Sequence, residues 1–360
     1  MSGVFAQLRF FARLRAWLSL RCAALISRAA LLLVGLSLAG CSQMHWQQNR
    51  DDVIVRVGTY NKALPAKSHA GLFVPYAVMA AKAYENLDAN GQSLGEVKTF
   101  GDQRTRAYEW LKGWDYVTGK FGPICADSKV NCSGVNGLEY QIWKHSSRPG
   151  GVCDEVALVL RGTDFRSLGD WLSNFHWILR LMPLNDQYDQ IQSSTNVIIA
   201  KRIKTLACYR PGVTKIVAVG HSLGGGLAQN AAYMSKDISH VYAFDPSMVT
   251  GHYDTDVPPH AGKGLKIDRI YEHGEVLSYL RLLMRQVYAP SACNPQIRTV
   301  RFNLDTGNFI QQHSIEKLAA NLIKVSGKVN NPKSKMRLED ASIADRIAEG
   351  CDSAPLSASR

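Results

Sequence analysis

One stretch limits the fold of this chain more than any other. Lys215-Ile-Val-Ala-Val219 is a short apolar run that reads as a buried strand, and Leu223-Gly-Gly-Gly-Leu-Ala-Gln-Asn-Ala-Ala232 reads as a helix of small residues. Between them stands Gly220-His221-Ser222-Leu223-Gly224, a G-x-S-x-G pattern. A serine on so sharp a strand-to-helix turn holds its hydroxyl above the sheet, and the glycines let the two backbones pass closely. The helix N-terminus then favours negative charge developing beside the hydroxyl. The alternative is a glycine-rich turn without chemistry. The strand before, the helix after and the excess of glycine select Ser222 as a nucleophile.

Further elements line up around this turn. Val74–Asn86 is alanine-rich with helical spacing, 137–144 and 155–161 read as strands, and 188–207 reads as a helix. Strands are expected at 240–244, 267–271 and 297–302, and a last helix at 314–325. Strands alternating with helices predict an α/β protein with a mostly parallel central sheet and helices on both faces. Such sheets carry their ligands at the carboxyl ends of the strands.

The first forty residues are of another kind. Arg9, Arg13, Arg15, Arg21 and Arg28 occur there without an acidic residue, followed by the apolar run Ala29–Leu38 and then Ala39-Gly40-Cys41. A basic region, a short apolar region and small residues before a cut form a secretory signal, and the apolar run is short for a span of about 20 residues. Leu38-Ala-Gly-Cys41 also resembles the bacterial lipobox, which makes Cys41 the expected lipidation site. By resemblance to the bacterial sorting rule, Ser42 in place of Asp after the cysteine implies an exported lipoprotein of the outer membrane. The layout is a signal peptide at 1–40, a lipid-anchored tether at 41–65, one domain at 66–327 and a polar tail at 328–360. Without the five signal arginines, +7 of the formal charge of +12 remains, with no dense basic run. Nucleic acid is not an expected partner. A membrane, met through the lipid anchor, is.

Of the eight cysteines, Cys22 leaves with the signal and Cys41 takes the lipid. Cys125, Cys132, Cys153, Cys208, Cys293 and Cys351 form an even set compatible with disulfides in an exported protein, Cys125 and Cys132 flanking one polar loop. No C-x-x-C or histidine cluster calls for a metal, and the chemistry expected at Ser222 needs no cofactor.

Gly220-His-Ser-Leu-Gly-Gly225 resembles the class 3 (fungal-type) lipases of the α/β-hydrolase superfamily. Leu158-Val-Leu-Arg-Gly-Thr163 is similar to their strand ending in Arg-Gly-Ser/Thr, and Asp170-Trp-Leu-Ser-Asn-Phe175 to the tryptophan-bearing segment after it. The resemblance runs from about Ala77 to Ala320 and is confined to the motifs. It implies an α/β-hydrolase fold, with Thr163 and the Leu223 N–H forming the oxyanion hole. It also implies a lid at about 165–184, a segment that a core helix packing Trp171, Phe175 and Ile178 explains equally well.

A serine nucleophile needs a base, and the base an orienting carboxylate, in the chain order serine, acid, histidine. His313 follows the last expected strand by about ten residues and opens a helix, where this fold delivers its histidine. His240 begins a strand, at the wrong edge, while His252 and His260 lie in a Pro/Gly-rich loop and His273 lies close to the expected acid. Glu275 takes the position of the acid in Arg269-Ile-Tyr-Glu-His-Gly-Glu275, where the family more often has Asp, and Asp245 is the alternative. Glu272 and Asp268 are more distant candidates, and His221 is expected to pack the turn. The resemblance implies a carboxylester hydrolase acting on lipid esters, a triacylglycerol lipase or phospholipase A1. An esterase for small or aryl esters, and a non-catalytic lipoprotein that binds a partner, stand as alternatives.

Overall fold

Successive strand residues point to opposite faces of a sheet, and the central strands here are apolar on both. A computed structural model describes residues 52–57, 60–85, 109–117, 138–147, 151–162, 185–250, 264–283 and 295–326, all within one unit, Asn49–Arg360. In chain order the elements are β1 (Asp52–Val57), β2 (Tyr60–Pro65), α1 (Ala66–Lys82), β3 (Trp114–Tyr116), β4 (Tyr140–His145), β5 (Glu155–Leu160) and α2 (Asn185–Ile198). They continue with β6 (Lys215–His221), α3 (Leu223–Met234), β7 (Ile238–Phe244), β8 (Lys266–Glu272), α4 (Val276–Leu283), β9 (Gln296–Phe302) and α5 (Ile315–Ser326). A π-helical turn, Ile199–Ile203, extends α2, and a single 3-10 turn, Gln311–His313, precedes α5.

The strands form one sheet in the order β2-β1-β9-β8-β7-β6-β5-β4-β3. On one face Val156, Leu158, Ile216, Ala218, Val241 and Ile267 meet Ile191 and Ile199 from the α2 segment and Leu227 and Ala231 from α3. On the other, Ala157, Val159, Val217, Val219, Phe244, Ile270 and Val300 meet α1 and α5. Each large aliphatic side chain buried this way contributes on the order of 1.5–3 kcal/mol, which is why the strands read as almost unbroken apolar runs. The protein is thus a mixed α/β structure with helices on both faces of the sheet.

The expectation of a mostly parallel sheet holds only for the centre. β5 to β9 run parallel, whereas β1–β2, β1–β9, β3–β4 and β4–β5 pair antiparallel. The tether expected at 41–65 is also corrected, because residues 52–57 and 60–65 are strands added to the sheet at β9. Val53 and Val55 are buried while Arg56 is exposed, an alternation of period two that the flanking polar residues conceal. Residues 58 and 59 join β1 to β2, a connection short enough only for an antiparallel pair. The first helix begins at Ala66 rather than Val74 and carries Pro75 inside it. Proline is commonest in a first helical turn, which makes it a misleading start signal here. β3 and α4 carry no expectation from sequence.

Cys153 and Cys208 form a disulfide across a separation of 55 residues, tying the approach to β5 to the turn before β6. The Cys153 N–H donates to the Cys208 carbonyl at 2.8 Å beside it. The signal and lipidation residue Cys41, the segment 165–184, Thr163, the tail 328–360 and Cys125, Cys132, Cys293 and Cys351 lie outside the described residues.

Candidate active site

β6 runs without a break into Ser222, whose φ of 55° and ψ of −122° set it between strand and helix. Positive φ is costly for a residue with a Cβ, and the surroundings hold it there. The Ser222 N–H donates to the Phe244 carbonyl at 3.0 Å, and its own carbonyl accepts from Gly225 N–H (3.1 Å) and Ser247 N–H (2.8 Å). The turn needs glycine on both sides of the serine. A Cβ on Gly220 would come within 2.1 Å of the Gly224 carbonyl oxygen, and one on Gly224 within 2.3 Å of the Leu160 carbonyl oxygen. Leu223 opens α3 directly after the serine, and the first N–H groups of a helix have no partner inside it.

The loops after β8 and β9 bring two further groups to the same edge. His313, at the end of the 3-10 turn, has Nε2 3.1 Å from Ser222 Oγ and Nδ1 2.8 Å from Glu275 Oε2. A carboxylate only accepts, so Nδ1–H donates to Glu275 and Nε2 is left to accept the Ser222 hydroxyl proton. Burial first, and the Arg281 charge second, push the His313 pKa down to about 3, so the ring rests neutral. Glu275 is fully buried. Besides His313 it accepts from the Leu277 N–H (2.8 Å), the Ser278 hydroxyl (3.0 Å) and the Arg281 guanidinium. Arg281 is itself fixed by the Pro246 carbonyl at 2.8 Å and by the Tyr271 ring, 4.0 Å from the guanidinium carbon.

Asp245, the alternative acid, stands beside this relay and outside it. Its Oδ1 accepts from the Glu272 N–H at 3.0 Å, while Oδ2 has no hydrogen-bond partner. Its φ of 39° makes it, with Ser222, one of two non-glycine residues at positive φ among those described. Burial raises its pKa to about 7, against the opposing pull of the Glu272 N–H and Arg281. Burial likewise raises Glu272 to about 8, although the Leu304 and Asp305 N–H groups donate to its Oε1.

Among the described residues, His221, Asp245 and His313 could offer a metal three donor atoms within 4.8 Å of one another. Every ring nitrogen of the two histidines is already within hydrogen-bond distance of a partner. The cluster is therefore committed to the relay and its supports.

His240 and Asp268 lie at the opposite edge. His240 Nε2 is 2.9 Å from Asp268 Oδ2, and Arg298 grips the same carboxylate through Nε and Nη2. Burial alone would raise the Asp268 pKa, but Arg298 and His240 outweigh it and hold the carboxyl well below the usual range. His273 follows β8, with its N–H on the Phe302 carbonyl, and His252 and His260 lie outside the described residues. Arg281 and Tyr84 join the site without a signal in the sequence: one is six residues beyond Glu275 on a helix that no pattern marks, the other lies in the turn just after a helix of ordinary composition. No protein-family model matches this chain, and no curated protein matches it.

Proposed function

We propose that the chain is a serine carboxylester hydrolase of the α/β-hydrolase fold, akin to the class 3 lipases, that acts on lipid esters. One observation carries the reading: Ser222 Oγ, His313 and Glu275 stand in line at 3.1 and 2.8 Å on the carboxyl-terminal edge of a parallel sheet. That is the nucleophile–base–orienter arrangement of acyl transfer.

His313 Nε2 takes the Ser222 proton as Oγ attacks the ester carbonyl carbon. The carbonyl electrons move to oxygen, where the Leu223 N–H at the head of α3 and Thr163 stabilise the charge. Loss of one such donor costs on the order of 3–4 kcal/mol of barrier. Glu275 stabilises the imidazolium that forms, and its set of four donors suits a group that only accepts. Collapse of the tetrahedral intermediate breaks the C–O bond, and the leaving alcohol takes the proton from His313. Water, activated by the same imidazole, then releases the acid. Each bond is made and broken by the chain's own groups, without a cofactor.

The lipid substrate class and the lipoprotein reading support one another, since an anchor at Cys41 in the outer membrane concentrates the enzyme at its substrate. The test is turnover of a p-nitrophenyl ester series by the detergent-solubilised full chain. Long acyl chains should be preferred, and Ser222→Ala should abolish the activity. Preference for acetate would replace the lipase reading with a small-ester esterase, and equal rates in the two proteins would refute the nucleophile.

A further inference from the structure

His221 precedes the nucleophile, is buried, and reaches two places at once. Its Nε2 lies 2.9 Å from the backbone oxygen of His313, and its Nδ1 lies 3.0 Å from Tyr84 Oη. A carbonyl oxygen only accepts, so Nε2 must carry the hydrogen. Burial first, and the neighbouring His313 second, hold the imidazole pKa well below its ordinary value. The ring therefore keeps one proton, Nδ1 is left as an acceptor, and the Tyr84 hydroxyl donates to it. The phenol, which also lies 3.5 Å from the His221 carbonyl oxygen, thereby supports from the Nδ1 side the same tautomer that the bond to the His313 carbonyl requires.

What that bond spans gives it its use. His313 ends one 3-10 turn, and its own N–H is satisfied locally by Ile310 at 3.1 Å. Its carbonyl is held by the residue covalently next to Ser222. The two imidazoles lie 4.9 Å apart between centroids. Nucleophile and base thus share a main-chain tie besides the proton-bearing contact between their side chains. Tyr84 lies just past the end of α1 and abuts the exit from β5. A Cβ on Gly162 would fall 2.5 Å from Tyr84 Oη and 2.6 Å from the His221 carbonyl oxygen. The hydroxyl sits where the first helix, the segment leading to residue 163 and the nucleophile turn meet.

We infer that Tyr84 and His221 are positioning residues that lock the His313 main chain to the nucleophile turn, setting the Ser222–His313 separation by a relayed hydrogen bond. The lock rests on the hydrolase reading for the reaction it serves. An error of about 1 Å between reacting groups can cost on the order of 100-fold in rate, so the effect belongs in kcat and not in KM.

The test compares the full chain with Tyr84→Phe, His221→Phe and His221→Gln on p-nitrophenyl butyrate. Phenylalanine at 221 fills the space of the ring without a donor, whereas glutamine carries an N–H to about the position of Nε2. His221→Phe should lower kcat about 30-fold and Tyr84→Phe about 5-fold, KM staying within about two-fold, because misalignment and not binding is at stake. His221→Gln should recover most of the loss, and the double Phe variant should be no worse than His221→Phe, as expected of groups acting in series. Wild-type kcat in His221→Phe, or equal losses in the Phe and Gln variants, would overturn the lock. Should His221→Phe fail to fold, Tyr84→Phe alone decides, and an unchanged kcat refutes the lock. A nitrogen NMR spectrum of protein labelled at histidine reads the tautomer without turnover. Protonation of His221 at Nε2, weakened in Tyr84→Phe, is expected; protonation at Nδ1 overturns the lock at any rate. An inactive wild type with the Nε2 tautomer would sink the hydrolase reading and leave the lock standing.

Discussion

At the carboxyl-terminal edge of the sheet His313 meets Glu275 at 2.8 Å, and at the amino-terminal edge His240 meets Asp268 at 2.9 Å. The pairs are chemically alike and differ in what surrounds them. Asp268 is saturated by Arg298, and the other face of His240 stacks on Tyr242 with centroids 4.3 Å apart. Among the described residues no hydroxyl or thiol is hydrogen-bonded to that imidazole. His313 has Ser222 at its second ring nitrogen, Nε2, and the backbone there is drawn into positive φ at Ser222 and Asp245. A histidine–carboxylate pair is thus a packing device at one end of a parallel sheet and a candidate relay at the other. What separates them is the third group, held by strained backbone where the parallel strands end.

The sharpest way to break this contrast is to cut both pairs. Ser222→Ala or His313→Ala should lower kcat on p-nitrophenyl esters by about 10⁴-fold or more, and Glu275→Gln by about 10³- to 10⁴-fold. His240→Ala should leave kcat within two-fold. Asp268→Asn should spare turnover yet weaken the charge pairing of buried Arg298, a loss of roughly 3–5 kcal/mol of unfolding free energy in urea titrations. The amino-terminal edge also holds the disulfide. Cys153→Ala with Cys208→Ala should cost about 2–4 kcal/mol by the same measurement, with the activity of the folded fraction intact.

The smallest effect concerns pH. His69 on α1 is buried with both ring nitrogens lacking hydrogen-bond partners. Burial, aided by Arg298, lowers its pKa to about 4. The unfolded chain binds that proton near pH 6.5, so the stability this neutral ring confers is complete above 6.5 and is lost as pH falls towards 4. His313 and His221 shift the same way, whereas Asp245 and Glu272, raised to about 7 and 8, favour the folded state at lower pH. His69→Leu should therefore gain about 2 kcal/mol more at pH 5 than at pH 8. An equal gain at both pH values would show that its ring is not held neutral.

What the sequence made legible follows from how local each signal is. Strands β5 to β9 and the turn at Ser222 are read from contiguous apolar runs and glycines, and their boundaries fall within a few residues of those seen. His313 and Glu275 were reachable because chain order limits where a base and an acid can arise, although only the folded chain separates Glu275 from Asp245, 30 residues away. β1 and β2 were hidden because an edge hairpin buries one face and keeps charged residues on the other, which looks like a tether. Arg281 and Tyr84 were invisible because their partners lie on other elements. The role of His221 was likewise hidden, since packing and hydrogen bonding to a remote carbonyl leave the same mark in a sequence.

The central claim, that Ser222 is a nucleophile activated by His313, is tested most directly by covalent labelling. The full chain is incubated with a fluorophosphonate and the modified peptide identified by mass spectrometry. The account predicts a single adduct on Ser222, abolished in Ser222→Ala and slowed by orders of magnitude in His313→Ala. No adduct on the folded protein, or one formed on Ser222 at the same rate without His313, would contradict it.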